Sequence, residues 1–386
     1  MFQFFTEDQK MLQTVVREFV EQKIAPHAAE WDAEDKCPVE LWPELGQMGM
    51  LGCFVPQQYG GVGLGLTERA IIIEEVSRYS AGLGIAIMTH DLGVAAILNW
   101  GTEEQKQKYL PELCAGTKVG GLSATEPTGG SDLGNQGTTI DKTDTGFVVN
   151  GRKCFITNSH IANVNVIIGC SGVNEKGRKI LSAVIVPPET PGLAPGREEH
   201  KLGLKGSVTG EVILNDVKIG DDCLLSKVGD GMKVAMHTIG HFGRSGMAAI
   251  ATGVLKACLE DGIKFAKERV IYGKPMTALQ AIQFLIAENK VEYEAAENML
   301  FNATAIYDRG TECVPDVAAA KLYASEAAIR AAKRTIELMG GYGVINEYAA
   351  GRYMRDALAI VPSGGTSEIM KIIIAGAGAV GTHLAE

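Results

Sequence analysis

The hydrophobic pattern of this 386-residue chain changes period twice, and that limits the possible fold more than any single motif. From residue 1 to about 117, apolar positions recur at helical spacing, opening with Met11, Val15, Phe19 and Val20. From about 118 to 226, short β-branched runs alternate with turns: Val164 to Ile168, Leu181 to Val186 and Val212 to Ile219. From about 227 onward, long helical segments return, near 229–267, 278–310, 315–339 and 365–375. An α+β, multidomain chain is expected. It would have an N-terminal helical domain (1–117), a middle β-barrel or sandwich (118–226) and a C-terminal four-helix bundle (227–386).

Local signals sharpen this division. Thr6-x-x-Gln9 and Thr102-x-x-Gln105 are capping boxes that start helices. Residues 60–63, Gly-Gly-Val-Gly, must form a loop. Asn150-Gly151, between Phe147-Val148-Val149 and Cys154-Phe155-Ile156-Thr157, reads as a hairpin turn.

Bulk properties exclude several roles. A net charge of -10, with no basic stripe, argues against nucleic acid as a partner. No uninterrupted apolar run reaches the roughly 20 residues of a membrane span, and MFQFFTEDQK lacks the pattern of a secretory signal. The eight scattered cysteines suit free thiols in a cytoplasmic protein. Two motifs are decoys. Gly376-x-Gly378-x-x-Gly381 resembles a dinucleotide fingerprint but has no room for the helix that must follow, so a flexible small-residue tail is expected. His237 and His241 stand one helical turn apart, yet no third metal ligand accompanies them, and no metal is expected.

The loop Leu122-Ser123-Ala124-Thr125-Glu126-Pro127-Thr128-Gly129-Gly130-Ser131-Asp132 falls where helix hands over to strand. Its hydroxyls and glycines suit close backbone approach to a ligand. With it stand Phe155-Ile156-Thr157-Asn158, Leu202-Gly203-Leu204-Lys205-Gly206-Ser207, Glu268-Arg269-x-x-Tyr272-Gly273-Lys274 with Gln280, Met339-Gly340-Gly341-Tyr342-Gly343, Arg355-Asp356 and Gly365-Thr366-Ser367-Glu368-Ile369. In this order the set resembles the acyl-CoA dehydrogenase family along the whole chain. The resemblance implies FAD, an acyl-CoA thioester substrate, a homotetramer and electron-transferring flavoprotein as acceptor. It places Leu122, Ala124, Thr125, Phe155 and Thr157 at the isoalloxazine. Arg269, Tyr272, Gln280, Glu337, Gly340 and Gly341 fall at the pyrophosphate and adenosine end of a neighbouring subunit's FAD, with Glu337 where glutamine is common. Thr366 and Glu368 match further FAD contacts, and Ser131 and Arg244 match substrate contacts.

The departures from the family pattern matter most. Where most relatives carry the glutamate that takes the α-proton, this chain has Gly364, in Ser363-Gly364-Gly365-Thr366. A minority carry the base just before the arginine matching Arg244, and that position is Gly243. Glu368, one helical turn further on, is a poor substitute, because acid–base work needs direct reach. Asp91, in Met88-Thr89-His90-Asp91-Leu92, lies in the segment that lines the acyl pocket in the family. A carboxylate there calls for a role, as a base or as a cap or ion pair. His90 beside it is a possible tuner.

A base moved off the α-carbon suits an α,β-unsaturated thioester, whose γ-proton is acidified through the double bond. Loss of two glutamates leaves room for a ring, and the Gly364 N–H can still hold the thioester oxygen. These departures resemble the family's alicyclic-ring members and imply a 1,4-elimination. In it Asp91 removes a proton, flavin N5 receives hydride, and cyclohex-1-ene-1-carboxyl-CoA becomes cyclohexa-1,5-diene-1-carboxyl-CoA; further oxidation to benzoyl-CoA follows the same logic. The alternatives are a conventional 1,2-dehydrogenase of a saturated alicyclic or short-chain acyl-CoA, and an inactive FAD-binding paralogue.

Overall fold

The computed structural model describes residues 5–379. Thr6 caps α1 (Glu7–Lys23): its hydroxyl accepts from Gln9 N, and the Gln9 side chain accepts from Thr6 N. Thr102 and Gln105 do the same for α6 (Glu103–Cys114). Between them lie α2 (Ala28–Glu34), α3 (Trp42–Gln47), α4 (Leu66–Ser77) and α5 (Ala81–Trp100), with a loop over residues 60–63.

The buried face of α1 is only in part the expected one. Val20 faces inward and Phe19 packs on the core, but Val16 and Gln13 are buried in place of Met11 and Val15, which are exposed. Gln13 and Arg17 donate to Glu75 of α4, so a buried carboxylate fixes the rotation of the helix. Helix α5 has the length and apolarity of a membrane-crossing segment, but 94% of its apolar window is buried within the protein. It packs on α4, β1, α8 and the turn before α8. Close approach explains its glycines. A Cβ on Gly82 would stand 1.8 Å from Lys205 O, and one on Gly93 would stand 2.9 Å from Gly121 N.

The middle domain contains β1 (Gly120–Ser123), β2 (Thr139–Thr143), β3 (Gly146–Thr157), β4 (Val164–Val173), β5 (Lys179–Val186), β6 (Leu193–Glu198), β7 (Thr209–Ile219) and β8 (Leu224–Leu225). The strand order is β6-β7-β3-β2-β4-β5-β8, with β1 parallel to β4. Strands β2 and β4 meet through one pair, Thr139 and Cys170. The two halves of the sheet share a core that includes Ile140, Val149, Ile167, Val184 and Val212. The Asn150-Gly151 hairpin is corrected: β3 runs straight through it, with a bulge opposite β7. Asn150 pairs with Asp216, and a Cβ on Gly151 would strike Thr138, so packing rather than a turn selects this dipeptide. The actual turn between β2 and β3 is Asp144-Thr145.

The C-terminal domain has α7 (Gly231–His237), a π-helical turn (Thr238–Gly243), α8 (Arg244–Glu268), a β9–β10 ribbon (Val270–Ile271, Lys274–Pro275), α9 (Gln280–Asp308), α10 (Val314–Met339), α11 (Ala350–Ile360) and α12 (Ser367–Ala379). Helices α8, α9 and α10 pack on one another, and α12 packs on α10. Two features escaped the periodicity. The expected helix over 229–267 is interrupted by the π turn, and α11 buries a short stripe of Tyr353, Ala357 and Ile360. Two of the signature motifs serve docking. Leu204 N donates to Asp356 Oδ1 at 2.6 Å, and Arg355 pairs with Asp32. Residues Ile372 to Gly378 are helical rather than strand-like or a loose tail, and Gly381 lies outside the described residues.

Candidate functional site

The loop between α11 and α12 carries Gly364 and Gly365, both at positive φ (+67° and +109°). A Cβ at Gly364 would stand 2.9 Å from Met247 Cγ and 4.0 Å from Gly243 O. The two glycines expected at the family's base positions are therefore neighbours in space, with the Gly243 carbonyl beside residue 364, although 120 residues separate them in the chain; a Cβ at Gly243 would itself meet Ile239 and Leu92. Arg244 follows directly, buried, and its Nε and Nη1 find no partner among the described residues. A buried cation without a partner marks a place where a ligand supplies acceptors. The acids beside the loop turn elsewhere: Glu326 accepts from Ser367 Oγ at 2.7 Å, and Glu368 is exposed.

Asp91 is 1% exposed, and both its oxygens are engaged. Oδ1 accepts from Gly52 N at 3.2 Å, and Oδ2 accepts from Arg69 Nε at 2.7 Å. Arg69, equally buried in α4, also donates through Nη1 to Phe242 O at 2.9 Å. The pair thus ties α5 to the backbone just before Gly243. Leu92, next to Asp91, reaches to within 3.7 Å of the position a Gly243 Cβ would take. Burial raises the Asp91 carboxyl above its ordinary value, against the pull of Arg69. His90 faces elsewhere. Its Nδ1 accepts from Gly120 N, its ring lies 5.2 Å from that of Trp42, and burial holds its pKa down at about 3. It is a neutral core residue with no contact to the Asp91 carboxylate.

Removing the guanidinium would leave a buried carboxylate with only the Gly52 N–H, so Arg69→Gln is expected to cost about 3–5 kcal/mol. Burial would then be opposed by that N–H alone, and the folded carboxyl would rise further above its already raised wild-type value. The variant's folded state would hold a proton that both the unfolded chain and the folded wild type have released, so the deficit should grow as pH rises past the wild-type value. Urea midpoints of the two proteins at pH 5 and pH 8 check this: the gap should be wider at pH 8.

Leu122 and Ala124, at the end of β1, are buried, with Thr125 half-buried beside them. Phe155, at φ +55°, is turned outward and 65% exposed next to Thr157. A fully buried Lys153 holds this loop. Its Nζ donates to Glu126 at 2.7 Å and to Gln136, and Glu126 accepts from Thr138 N. Asn158, also at positive φ, donates to Ala86 O and Gly120 O, locking β3 to α5 and β1. Sequence reading missed Lys153 and Asn158 as the scaffold of this face. Ser131 is exposed at the loop's far end.

The second set lies apart. Arg269 follows the C-terminus of α8, whereas Arg244 begins it, and 25 helical residues span about 37 Å. Tyr272 is 89% exposed, Gln280 is exposed, and Glu337 pairs with Lys333 at the surface. Arg269 lies over the Tyr342 ring at 5.3 Å, and a Cβ on Gly340 or Gly341 would meet nothing within 4 Å. One chain therefore does not bring this set to the Gly364 end. His237 and His241 pack ring to ring with Tyr307 and Phe242, on the wall of a cavity of about 660 Å³ that also touches Phe54 and Leu98. Phe242 separates that cavity from Arg69.

Three family models cover almost the whole chain: the acyl-CoA dehydrogenase N-terminal domain over residues 6–117, the middle domain over 121–217 and the C-terminal domain over 229–378. The chain belongs to the acyl-CoA dehydrogenase family. It is 38% identical to an acyl-CoA dehydrogenase of Bacillus subtilis, over 96% of this chain and 97% of that one. Butyryl-CoA dehydrogenase of Megasphaera elsdenii superposes with a TM-score of 0.94 at 34% identity, covering 98% of this chain and all of that one. The structure described as a glutaryl-CoA dehydrogenase glutaryl-CoA complex superposes at 0.93, again at 34% identity, covering 98% and 97%.

This acyl-CoA dehydrogenase is an oxidoreductase acting on CH–CH groups and a flavoprotein. Its residues fit FAD. An exposed aromatic at positive φ beside the buried β1 end offers a wall for a flat ring. The open space over Gly340 and Gly341, near the Arg269 guanidinium, suits a pyrophosphate.

Proposed function

We propose that this enzyme dehydrogenates a cyclic α,β-unsaturated acyl-CoA by 1,4-elimination, as cyclohex-1-ene-1-carboxyl-CoA dehydrogenase does, with Asp91 as the base. One observation carries the reading. Gly364 lies beside the Gly243 carbonyl with no carboxylate at either position, while Leu92 approaches Gly243 and its neighbour Asp91 is bound through Arg69 to Phe242 O, one residue before Gly243. FAD, when bound, accepts the hydride.

The protein's part is binding and proton transfer. The Gly364 N–H receives the thioester oxygen, so negative charge that spreads from the ring onto that oxygen meets a fixed donor. Arg244, buried without a partner, adds positive charge to the same end. Asp91 takes the ring C3 proton. Each of its oxygens keeps a lone pair beyond its present hydrogen bond, so it can receive that proton without releasing Arg69 or Gly52. Burial, by raising the carboxyl, makes Asp91 a stronger base than a solvated aspartate. Leu122, Ala124, Thr125, Phe155, Thr157, Thr366 and Glu368 hold the flavin end. Arg269, Tyr272, Gln280, Glu337, Gly340 and Gly341 hold the other end of a neighbouring subunit's cofactor. The 37 Å between the ends of α8 supports this division and the homotetramer. A similar solved structure, described as electron transferring flavoprotein of Acidaminococcus fermentans, supports such a protein as electron acceptor. A cytoplasmic location suits the free cysteines.

A second reading, 1,2-dehydrogenation of a saturated short-chain acyl-CoA, draws on relatives named for short-chain and butyryl substrates. Anaerobic titration of the holoenzyme separates the two. The 1,4 reading expects bleaching of the flavin band by cyclohex-1-ene-1-carboxyl-CoA, with the 1,5-diene as product, and none by butyryl-CoA. The reverse pattern selects the 1,2 reading, and no bleaching with either thioester leaves the inactive paralogue.

A further inference from the structure

Lys321 has no place in the chemistry above, yet it is fully buried beneath the Gly364 loop. It sits in α10 within an alanine-rich stretch, and its Nζ donates to Val361 O at 2.6 Å and to Gly365 O at 2.7 Å. Those carbonyls bracket Ser363 and Gly364. Among the described residues no carboxylate bonds the ammonium. The charged groups facing it are Glu326 of its own helix, Arg244 of α8 and Glu368 of α12.

Burying an ammonium against only two carbonyls is costly, so its presence needs a compensating gain. The loop supplies the reason. Two successive glycines at positive φ give it more backbone freedom than any other dipeptide would. Its internal ties hold mainly the first half: Ser363 N donates to Ile360 O, and Ser363 Oγ donates to Ala359 O. Gly364 itself has no side chain to anchor it, and among the described residues only Lys321 grips the backbone on both sides of it. A donor for an oxyanion must be aimed before charge develops, since a peptide that reorients during the reaction loses most of its benefit.

We infer that Lys321 is a positioning residue, which clamps Val361 and Gly365 so that the Gly364 N–H stays aimed at the thioester oxygen. The inference rests on the reading of Gly364 as the oxygen's donor but not on Asp91 or the ring substrate. The ammonium also raises the positive potential at that end, next to Arg244. Burial holds its pKa down at about 8, within reach of titration.

The test is infrared difference spectroscopy of butyryl-CoA, labelled with ¹³C at the carbonyl and bound to the holoenzyme, a measurement that needs no turnover. The wild type should show the carbonyl stretch lowered relative to the free thioester, with the shift weakening above pH about 8. Lys321→Met should abolish the shift while FAD stays bound with an unchanged visible spectrum. Flavin reduction by whichever thioester bleaches the wild type should fall about 10²-fold, the scale of a misplaced reacting group. Lys321→Arg, which stays charged and keeps donors, should retain the shift and move its loss to higher pH. An unshifted carbonyl in the wild type removes Gly364 as donor, and the clamp with it. A Lys321→Met holoenzyme with the wild-type carbonyl shift overturns the clamp alone. Both results are distinct from failure of cyclohex-1-ene-1-carboxyl-CoA to bleach the flavin, which strikes only the proposed substrate.

Discussion

Asp91→Asn should lower flavin reduction by cyclohex-1-ene-1-carboxyl-CoA by about 10³-fold, within the span that general-base catalysis contributes. One amide oxygen cannot accept from both Gly52 N and Arg69, and the guanidinium loses its counter-charge, so the variant should also lose about 3–5 kcal/mol of stability, and the rate is compared per bound FAD. The pH profile adds a second check. The base works as a carboxylate, and burial has raised its pKa, so the wild-type rate should climb with pH through a value above the ordinary 3.8. In Asp91→Asn that rise should vanish while any limb due to other groups remains. Stopped-flow reduction between pH 5 and pH 9 reads both effects. Full turnover by the variant would remove Asp91 from the chemistry and leave it as the buried partner of Arg69.

The Asp91–Arg69 pair shows where sequence reading reached and where it stopped. Asp91 stood out because a carboxylate interrupts an apolar helix. Its partner is 22 residues earlier, in the preceding helix, and no spacing rule links the two. A signal was present all the same: Arg69 opens the run Arg-Ala-Ile-Ile-Ile, a lone cation among core residues. Lys321, in Val-Ala-Ala-Ala-Lys, carries the same signature, whereas Lys153, in Asn-Gly-Arg-Lys-Cys, does not. A lone cation in an apolar stretch is therefore informative, since both Arg69 and Lys321 are buried and bonded here.

The capping boxes were legible because they are local, and the helical–β–helical order because periodicity is local too. The Asn150-Gly151 turn and part of the face of α1 were misread for one shared reason. Contacts with distant residues, Thr138 and Asp216 in one case and Glu75 in the other, outweighed the local pattern. The loop at Gly364 was legible as a set of absences, Gly243 and Gly364, and only the fold brings the two together.

Restoring a carboxylate to that loop gives the second large effect. Gly364→Glu places a side chain at φ +67°, which costs about 1–2 kcal/mol in left-handed backbone, and Met247 must turn aside from a Cβ 2.9 Å away. The Met247 contact is with a flexible thioether chain, so the loop should accept the change. A glutamate there lies beside the α-carbon of a thioester whose oxygen rests on residue 364. On the 1,4 reading the variant is therefore expected to bleach with butyryl-CoA, to which the wild type should be inert, and to lose the ring substrate as the new side chain fills its space. The decisive protein is the double variant with Asp91→Asn. If the base has been relocated, the two carboxylates serve different carbons, and the double variant should keep all of the gained butyryl-CoA activity while cyclohex-1-ene-1-carboxyl-CoA stays inert. If Asp91 instead serves the α- or β-carbon, butyryl-CoA should already bleach the wild type. Adding Asp91→Asn to Gly364→Glu should then lower the butyryl-CoA rate, because the two acids would act on the same pair of hydrogens.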